Sequence, residues 1–430
     1  MMIGRLALAV LVAGCGRVGF QELAGHAGGD DDGGAADTTI ALVVTSDATS
    51  TGPAGAPIAG ATVIVQRTAG AASDRLTTDA GGGVRFAADG VVAFHVAYHA
   101  GASWRVYTVA APPAGPIALG GRPEATALSH AMSFALPDNG SSNFWLHLGA
   151  ACAIPPKEGS ASFTLAYAAE CEGTTTHVVA FTTAPGTTQD RYIDVGDVTL
   201  RNGGMKTVTG AYAVPAAHAV KISNLLGLVS STTAGIYART GVELLQLGGD
   251  FDSATPSAGT ATVATTAAPG GNTLWVSTLA DLPIQYSSSS DRLVPVTIAN
   301  QMSFDASTMV PLFSQLTLTN PPSVAWTGGA DHGTILALEI TSGALQWDAY
   351  LPPSATAVRF PDLPGDLGAP VPHTYDYASL VRLDVPGATT ADLMPTIDRA
   401  SVSWPSDPAV FAAEGSGMAR IVYSVGLGPP

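Results

Sequence analysis

Ala61-Thr62-Val63-Ile64-Val65-Gln66 is the stretch that decides the fold class. Four consecutive β-branched residues, with Pro57 and Gly60 punctuating the chain just before them, read as a strand. Working outward, Thr39 to Thr45 (TIALVVT) has the same character, and Val91 to Tyr98 and Trp104 to Val109 continue it. Further along, Ala161 to Tyr167 (ASFTLAY), His177 to Thr182 (HVVAFT), Gly259 to Thr265 (GTATVAT) and Thr273 to Ser277 (TLWVS) alternate or run apolar between Gly, Thr and Pro breaks. Helical periodicity is scarce, and Ile222 to Leu228 (ISNLLGL) fits either a strand or a helical turn. The expectation is an all-β chain of tandem β-sandwich modules.

Composition agrees. The chain has 430 residues, enough for roughly three folded units at about 150 residues each. Apolar residues make up 46% and charged residues only 12%, with 49 Gly and 30 Pro, a balance that favours strands and turns over solvated helices. The formal net charge is -16, and lysine occurs only at Lys157, Lys206 and Lys221. Such a surface repels phosphate backbones, so nucleic acid is excluded as a partner, as is electrostatic docking to anionic lipid.

The N-terminus carries a motif. After MMIGR, Leu6 to Gly14 (LALAVLVAG) is an apolar run ending at Cys15. Nine residues are too few to span a bilayer core of about 30 Å, but they suit a secretory signal. Val12-Ala13-Gly14-Cys15 resembles the bacterial lipobox, which implies cleavage of a signal peptide (1–14) and lipidation of Cys15. Two or more acyl chains, at about 0.8 kcal/mol per buried methylene, anchor stably. Residue 16 is Gly rather than Asp, so the family's inner-membrane retention signal is missing and outer-membrane placement follows by default. Residues 15–37, centred on Asp30-Asp31-Asp32, read as a flexible acidic tether reaching roughly 25 Å. In an exported chain, Cys152 and Cys171 are the two remaining cysteines, and they are expected to form a disulfide across strands flanking the turn-rich PPKEGS segment. The alternative is a pair of buried thiols.

Two further resemblances divide the chain. Pro57-Ile58-Ala59-Gly60-Ala61-Thr62-Val63 followed by Leu76-Thr77-Thr78-Asp79-Ala80-Gly81-Gly82-Gly83-Val84-Arg85-Phe86 resembles the carboxypeptidase regulatory-like domain, with Gly60 and Gly82 at its turn positions. Val84 stands where that family often has an aromatic residue. The resemblance implies a transthyretin-like sandwich over 38–121 without catalytic residues. Residues 122–300 form a β-rich middle region of one or two modules, with a break near 201–215. Residues 301–430 are similar to a fibronectin type III sandwich, on the strength of Pro-Pro-Ser-Val-Ala-Trp (321–326) and AVRFPDLPGDL. Trp326, Trp347 and Trp404 read as core aromatics, with a carbohydrate platform as the alternative.

The common catalytic signatures G-x-S-x-G, H-E-x-x-H, S-x-x-K and the Walker A loop are absent from the sequence. His95 and His99 are close in sequence, but on a strand a four-residue step is about 13 Å, too far to share a zinc. They read as one exposed strand face. Asp250 with Asp252, and Glu170 with Glu172, are spaced to bind calcium or support acid/base chemistry, though solvated loop charge is the simpler reading. Asp331-His332-Gly333 marks a turn. No catalytic residue, metal ligand or cofactor is assigned. The expectation is a lipid-anchored cell-envelope protein that binds or organises a glycan or another envelope protein. An exported hydrolase with a loop-built site in the middle region, and an accessory subunit of an outer-membrane uptake complex, stand as alternatives.

Overall fold

The computed structural model describes residues 38–46, 55–68, 73–120, 128–141, 144–148, 153–154, 157–158, 160–183, 190–240, 243–246, 253–266, 270–282, 286–319, 322–328, 333–393 and 415–424. Cys15, Cys152, Asp250, Asp252, Asp331, His332, Trp404 and the segment 15–37 lie outside them. The described residues form an all-β structure of paired sheets.

The first sandwich contains β1 (Thr39–Val44), β2 (Thr62–Arg67), β3 (Asp74–Thr77), β4 (Gly83–Ala87), β5 (Val91–Ala100), β6 (Ser103–Ala110) and β7 (Gly115–Leu119). Its sheets run β4-β1-β7 and β3-β2-β5-β6. Alternation places Ile40, Leu42 and Val44 of β1 in the core, and Phe86 meets Phe94 edge-on across the two sheets at 5.6 Å.

The second contains β8 (His130–Ala135), β9 (Phe144–Leu148), β10 (Ala153–Ile154), β11 (Lys157–Glu158), β12 (Ser162–Tyr167), β13 (Thr175–Thr183), β14 (Asp190–Thr199) and β15 (Met205–Thr207). Its sheets run β10-β12-β8-β15 and β11-β9-β13-β14, around a core that includes Phe134, Phe144, Leu165 and Val178. This sandwich belongs to one compact unit, Ala125–Val214, and the other three belong to a second.

The third contains β16 (Ala217–Ser223), β17 (Ser231–Thr240), β18 (Glu243–Gln246), β19 (Ser253–Ala254), β20 (Ala261–Thr266), β21 (Thr273–Leu282), β22 (Tyr286–Pro295) and β23 (Gln301–Asp305). Here β20-β16-β23 faces β18-β17-β21-β22 over Val220, Ile222, Ile236, Val276 and Phe304, with β19 also paired to β17. The ambiguous ISNLLGL segment finishes β16 and then turns, leaving Leu226 and Leu228 exposed.

The fourth contains β24 (Phe313–Thr319), β25 (Ser323–Gly328), β26 (Ile335–Ser342), β27 (Leu345–Leu351), β28 (Ala357–Arg359), β29 (Tyr377–Asp384) and β30 (Gly417–Ser424). Its sheets are β24-β25-β28 and β27-β26-β29-β30, closed over Trp326 and Trp347.

Lettering the main strands A to G in chain order exposes a repeat. The first three sandwiches all read D-A-G against C-B-E-F, while the fourth reads A-B-E against D-C-F-G. In the second unit the four-stranded sheets fuse. β30 pairs antiparallel with β22, and β27 pairs parallel with β6, producing a 13-stranded sheet. Both outer edges of the fourth sandwich's larger sheet therefore cap an F strand of a neighbour, removing edges that would otherwise template aggregation.

Candidate functional site

His95, Asp291 and Asp348, three of the buried titratable side chains, lie at the two seams of the fused sheet. At the β6–β27 seam, strand alternation puts His95, Ala97 and His99 of β5 on one face. That face is covered by the fourth sandwich's core at its His95 end, where the side chain is only 5% exposed, and reaches solvent at His99. The expectation of one exposed strand face thus fails for His95, because strands distant in sequence cover it. Its Nδ1 is 3.0 Å from Thr108 Oγ1, and Trp347 Nε1 donates to the same oxygen at 3.0 Å. An indole N–H only donates, so the Thr108 hydroxyl accepts from Trp347 and pairs with His95 Nδ1 through its remaining lone pair or its own proton. The other ring nitrogen, Nε2, is buried and has no hydrogen-bond partner among the described residues. Burial disfavours the imidazolium more than Asp362 favours it, pushing the His95 pKa down to about 4. His99 instead packs on the Trp104 ring, 3.8 Å between centroids.

On the opposite face of the same seam, Arg105 and Asp348 approach to 3.4 Å with little exposure, and the guanidinium lies 5.7 Å from the Tyr107 ring. Gln346 donates to Glu339 beside them at 3.0 Å. At the β22–β30 seam, Asp291 is 5% exposed and accepts from Trp275 Nε1 at 3.0 Å. Burial raises this carboxyl to about 7, against the opposing pull of the Ser277 and Trp275 hydrogen bonds and of Arg420. Tyr237 stands edge-on to Trp275 at 6.3 Å, and its phenol is raised by burial and then by Asp291. Arg420 is held by Ser379 and Tyr377 at 3.0 and 2.8 Å.

In the second sandwich, Glu172 accepts from the Tyr167 hydroxyl at 2.6 Å and from the Asn202 N–H at 2.9 Å. The Tyr167 bond, foremost, holds the Glu172 carboxyl below its ordinary range. This carboxylate ties the end of β12 to the turn at Asn202. Cys171 beside it is buried and disulfide-bonded. His177 spans Asp194 and Asp197 at 3.1 Å each on the surface, where such pairs contribute little.

Trp326 and Trp347 are core residues, the first donating to Ala355 O at 3.1 Å and the second meeting Phe360 edge-on. Among the described residues, no group of three or more His, Cys, Asp or Glu could hold a metal ion. The sequence reading missed Asp291, Arg105 and Asp348. The available signal was a charge inside a strand-like run, as at Asp291 in SSSSDRLVPV, but without strand order it carries no address.

No protein-family model matches the sequence, and no curated protein is similar to it. Among solved structures, the chain is similar to the Bacillus anthracis TIE protein at 9% identity and TM-score 0.14, over 62% of this chain and 50% of that one. It is also similar to a streptococcal ancillary pilin at 9% identity and TM-score 0.17, over 62% of this chain and 97% of the pilin. The match thus spans half the length of the TIE protein.

Proposed function

We propose that this chain is a non-enzymatic, lipid-anchored protein of the bacterial cell envelope, held through Cys15, whose β-sandwiches form an arm that binds or organises a glycan or another envelope protein. The observation that carries the reading is the lipobox-like Val12-Ala13-Gly14-Cys15 followed by a tether and four sandwiches. Supporting it, Asp348, Asp291 and Arg420 at the seams are engaged with Arg105, Trp275, Ser379 and Tyr377 of the surrounding strands. Gly60 and Gly82, the glycines that the regulatory-like resemblance puts at turns, have positive φ (78° and 74°). Outer-membrane placement, from Gly16, belongs to the same proposal. Among the described residues no helix is long and apolar enough to cross a membrane.

The test is mass analysis of the N-terminal peptide with membrane fractionation, comparing wild type with Cys15→Ala. Wild type is expected to begin at an acylated Cys15 and to sediment with membranes, and the variant to remain uncleaved at that position and unacylated. An unmodified Cys15 in the mature wild-type chain would refute the reading.

A further inference from the structure

The dipeptide Asn-Gly occurs twice in the sequence, at Asn139-Gly140 and Asn202-Gly203, and both pairs belong to the second sandwich. In such a pair the glycine nitrogen can attack the preceding side-chain amide, because glycine has no Cβ to hinder the approach and reaches positive φ freely. Gly140 and Gly203 do so, at φ of 78° and 71°. Their surroundings differ. The Gly140 N–H donates to the Asp138 carboxylate at 2.8 Å, while Asn139 Oδ1 accepts from the Ser141 N–H at 3.1 Å and from the Thr182 hydroxyl at 3.3 Å. Asn139 Nδ2 is buried and makes no hydrogen bond among the described residues. The Gly203 N–H donates instead to Ala131 O at 2.8 Å, and Asn202 Oδ1 accepts from the Ala131 N–H at 3.1 Å.

We propose that the loop Asp138-Asn139-Gly140-Ser141, between β8 and β9, is a self-modification site at which Asn139 is converted by water to aspartate and isoaspartate with release of ammonia. Each polar contact has a part in that reaction. The bond from the Ser141 N–H to Asn139 Oδ1 curls the side chain forward along the chain toward the Gly140 nitrogen, the placement an intramolecular attack needs. As the Gly140 nitrogen bonds to Asn139 Cγ, its proton passes to Asp138. Negative charge then develops on Oδ1, where the Ser141 N–H and the Thr182 hydroxyl already point. The Cγ–Nδ2 bond breaks, the proton held by Asp138 goes to Nδ2, and ammonia leaves behind a succinimide ring. Because Nδ2 makes no hydrogen bond among the described residues, its departure costs none of those. Asp138 and Gly140 are exposed, so water reaches the ring and opens it at either carbonyl, giving aspartate or isoaspartate. At Asn202 the group beside the glycine N–H is a peptide carbonyl, which cannot serve as the base, and that N–H is tied to β8.

Incubation of the folded full chain at neutral pH, with peptide mapping by tandem mass spectrometry at successive times, tests it. The two sites compete within one wild-type chain, so the first comparison needs no variant. Asn139 is expected to deamidate roughly tenfold faster than Asn202, and the two to convert at similar rates in urea, where these contacts are lost. Asp138→Asn keeps an acceptor for the Gly140 N–H but removes the base. A carboxylate is a weak base for an amide N–H, so the loss is expected to slow Asn139 roughly tenfold, less than a well-matched general base contributes. Circular dichroism and melting confirm that the variant keeps the native fold. Asn202 keeping pace with Asn139 in the folded chain, an unchanged rate in Asp138→Asn, or a gap between the sites that persists in urea would each overturn the proposal.

Discussion

Removing the titration of His95 and of Asp291, one at a time, should uncover two opposite pH dependences that nearly cancel in the wild-type chain. His95 is neutral in the fold down to about pH 4, whereas the unfolded chain takes up its proton near 6.5. Between those values the unfolded state binds more protons, so stability falls as pH falls, and below about 4 nothing further is lost. At about 1.36 kcal/mol per pKa unit, the total is about 3 kcal/mol. Asp291 acts in the other direction. Its carboxyl keeps its proton in the fold up to about pH 7 but loses it near 3.8 when unfolded. The folded state is therefore the better proton binder across that window, and stability rises by about 4 kcal/mol as pH falls through it. Both groups belong to the second compact unit, and Trp347 and Trp275 stand next to them as fluorescent reporters. Urea midpoints read from tryptophan fluorescence at pH 7, 5.5 and 4 should stay nearly level in the wild type. They should climb with acidification in His95→Gln and drop with acidification in Asp291→Asn. Identical pH slopes in wild type and His95→Gln would show that His95 is solvated in the fold and refute the account of the seam.

Two further outcomes are expected. At Gly82 a Cβ would lie 2.4 Å from Val44 O on a backbone with φ of +74°, whereas at Gly60, with φ of +78°, it would meet nothing within 4 Å. Gly60→Ala should thus cost about 1 kcal/mol for its left-handed backbone alone, and Gly82→Ala severalfold more in the same urea titration; equal costs would contradict the close approach of Val44. Cys171→Ala, which removes a buried disulfide, should lower the transition of the Ala125–Val214 unit by about 3 kcal/mol in calorimetry, leave the other unit's transition in place, and be mimicked by reductant.

The fold class was legible because strand formation is a local matter. TIALVVT, ATVIVQ, ASFTLAY, HVVAFT, GTATVAT and TLWVS all fall on strands, the β-branched side chains suiting a pleated surface. What the sequence did not reveal was strand order. Trp104–Val109 pairs with Leu345–Tyr350 across most of the chain, and nothing in either segment names the other. The exposure of His95 was misread for the same reason, since alternation tells which residues share a face but not whether another sheet covers it. Of the expected site residues, Cys171 is disulfide-bonded, Glu172 is occupied by Tyr167 and Asn202, and Cys15 and Cys152 lie outside the described residues.

The positions of Arg420 and Asp348 follow from the seams themselves. A sheet extended by joining the edges of separate sandwiches has no hairpin at the joint to fix its register. In the β22–β30 pairing, Ser290 stands opposite Ala419 and Ser288 opposite Ile421, while Ser289 stands opposite Arg420. Ala419 and Ile421 are fully buried in the fourth sandwich's core, and Arg420 on the reverse face bonds Ser379 and Tyr377. A slip of one residue would turn Arg420 into that core and Ile421 out of it. Arg420 gains its specificity from this arrangement because an unpaired guanidinium in an apolar core costs far more than a correct pairing contributes. Asp348 supplies the matching constraint at the β6–β27 seam, where a one-residue shift would carry it from Arg105 toward the face occupied by Trp347. The charges at these joints are therefore better understood as determinants of register than as sources of stability, which is why they recur where two sandwiches share a sheet.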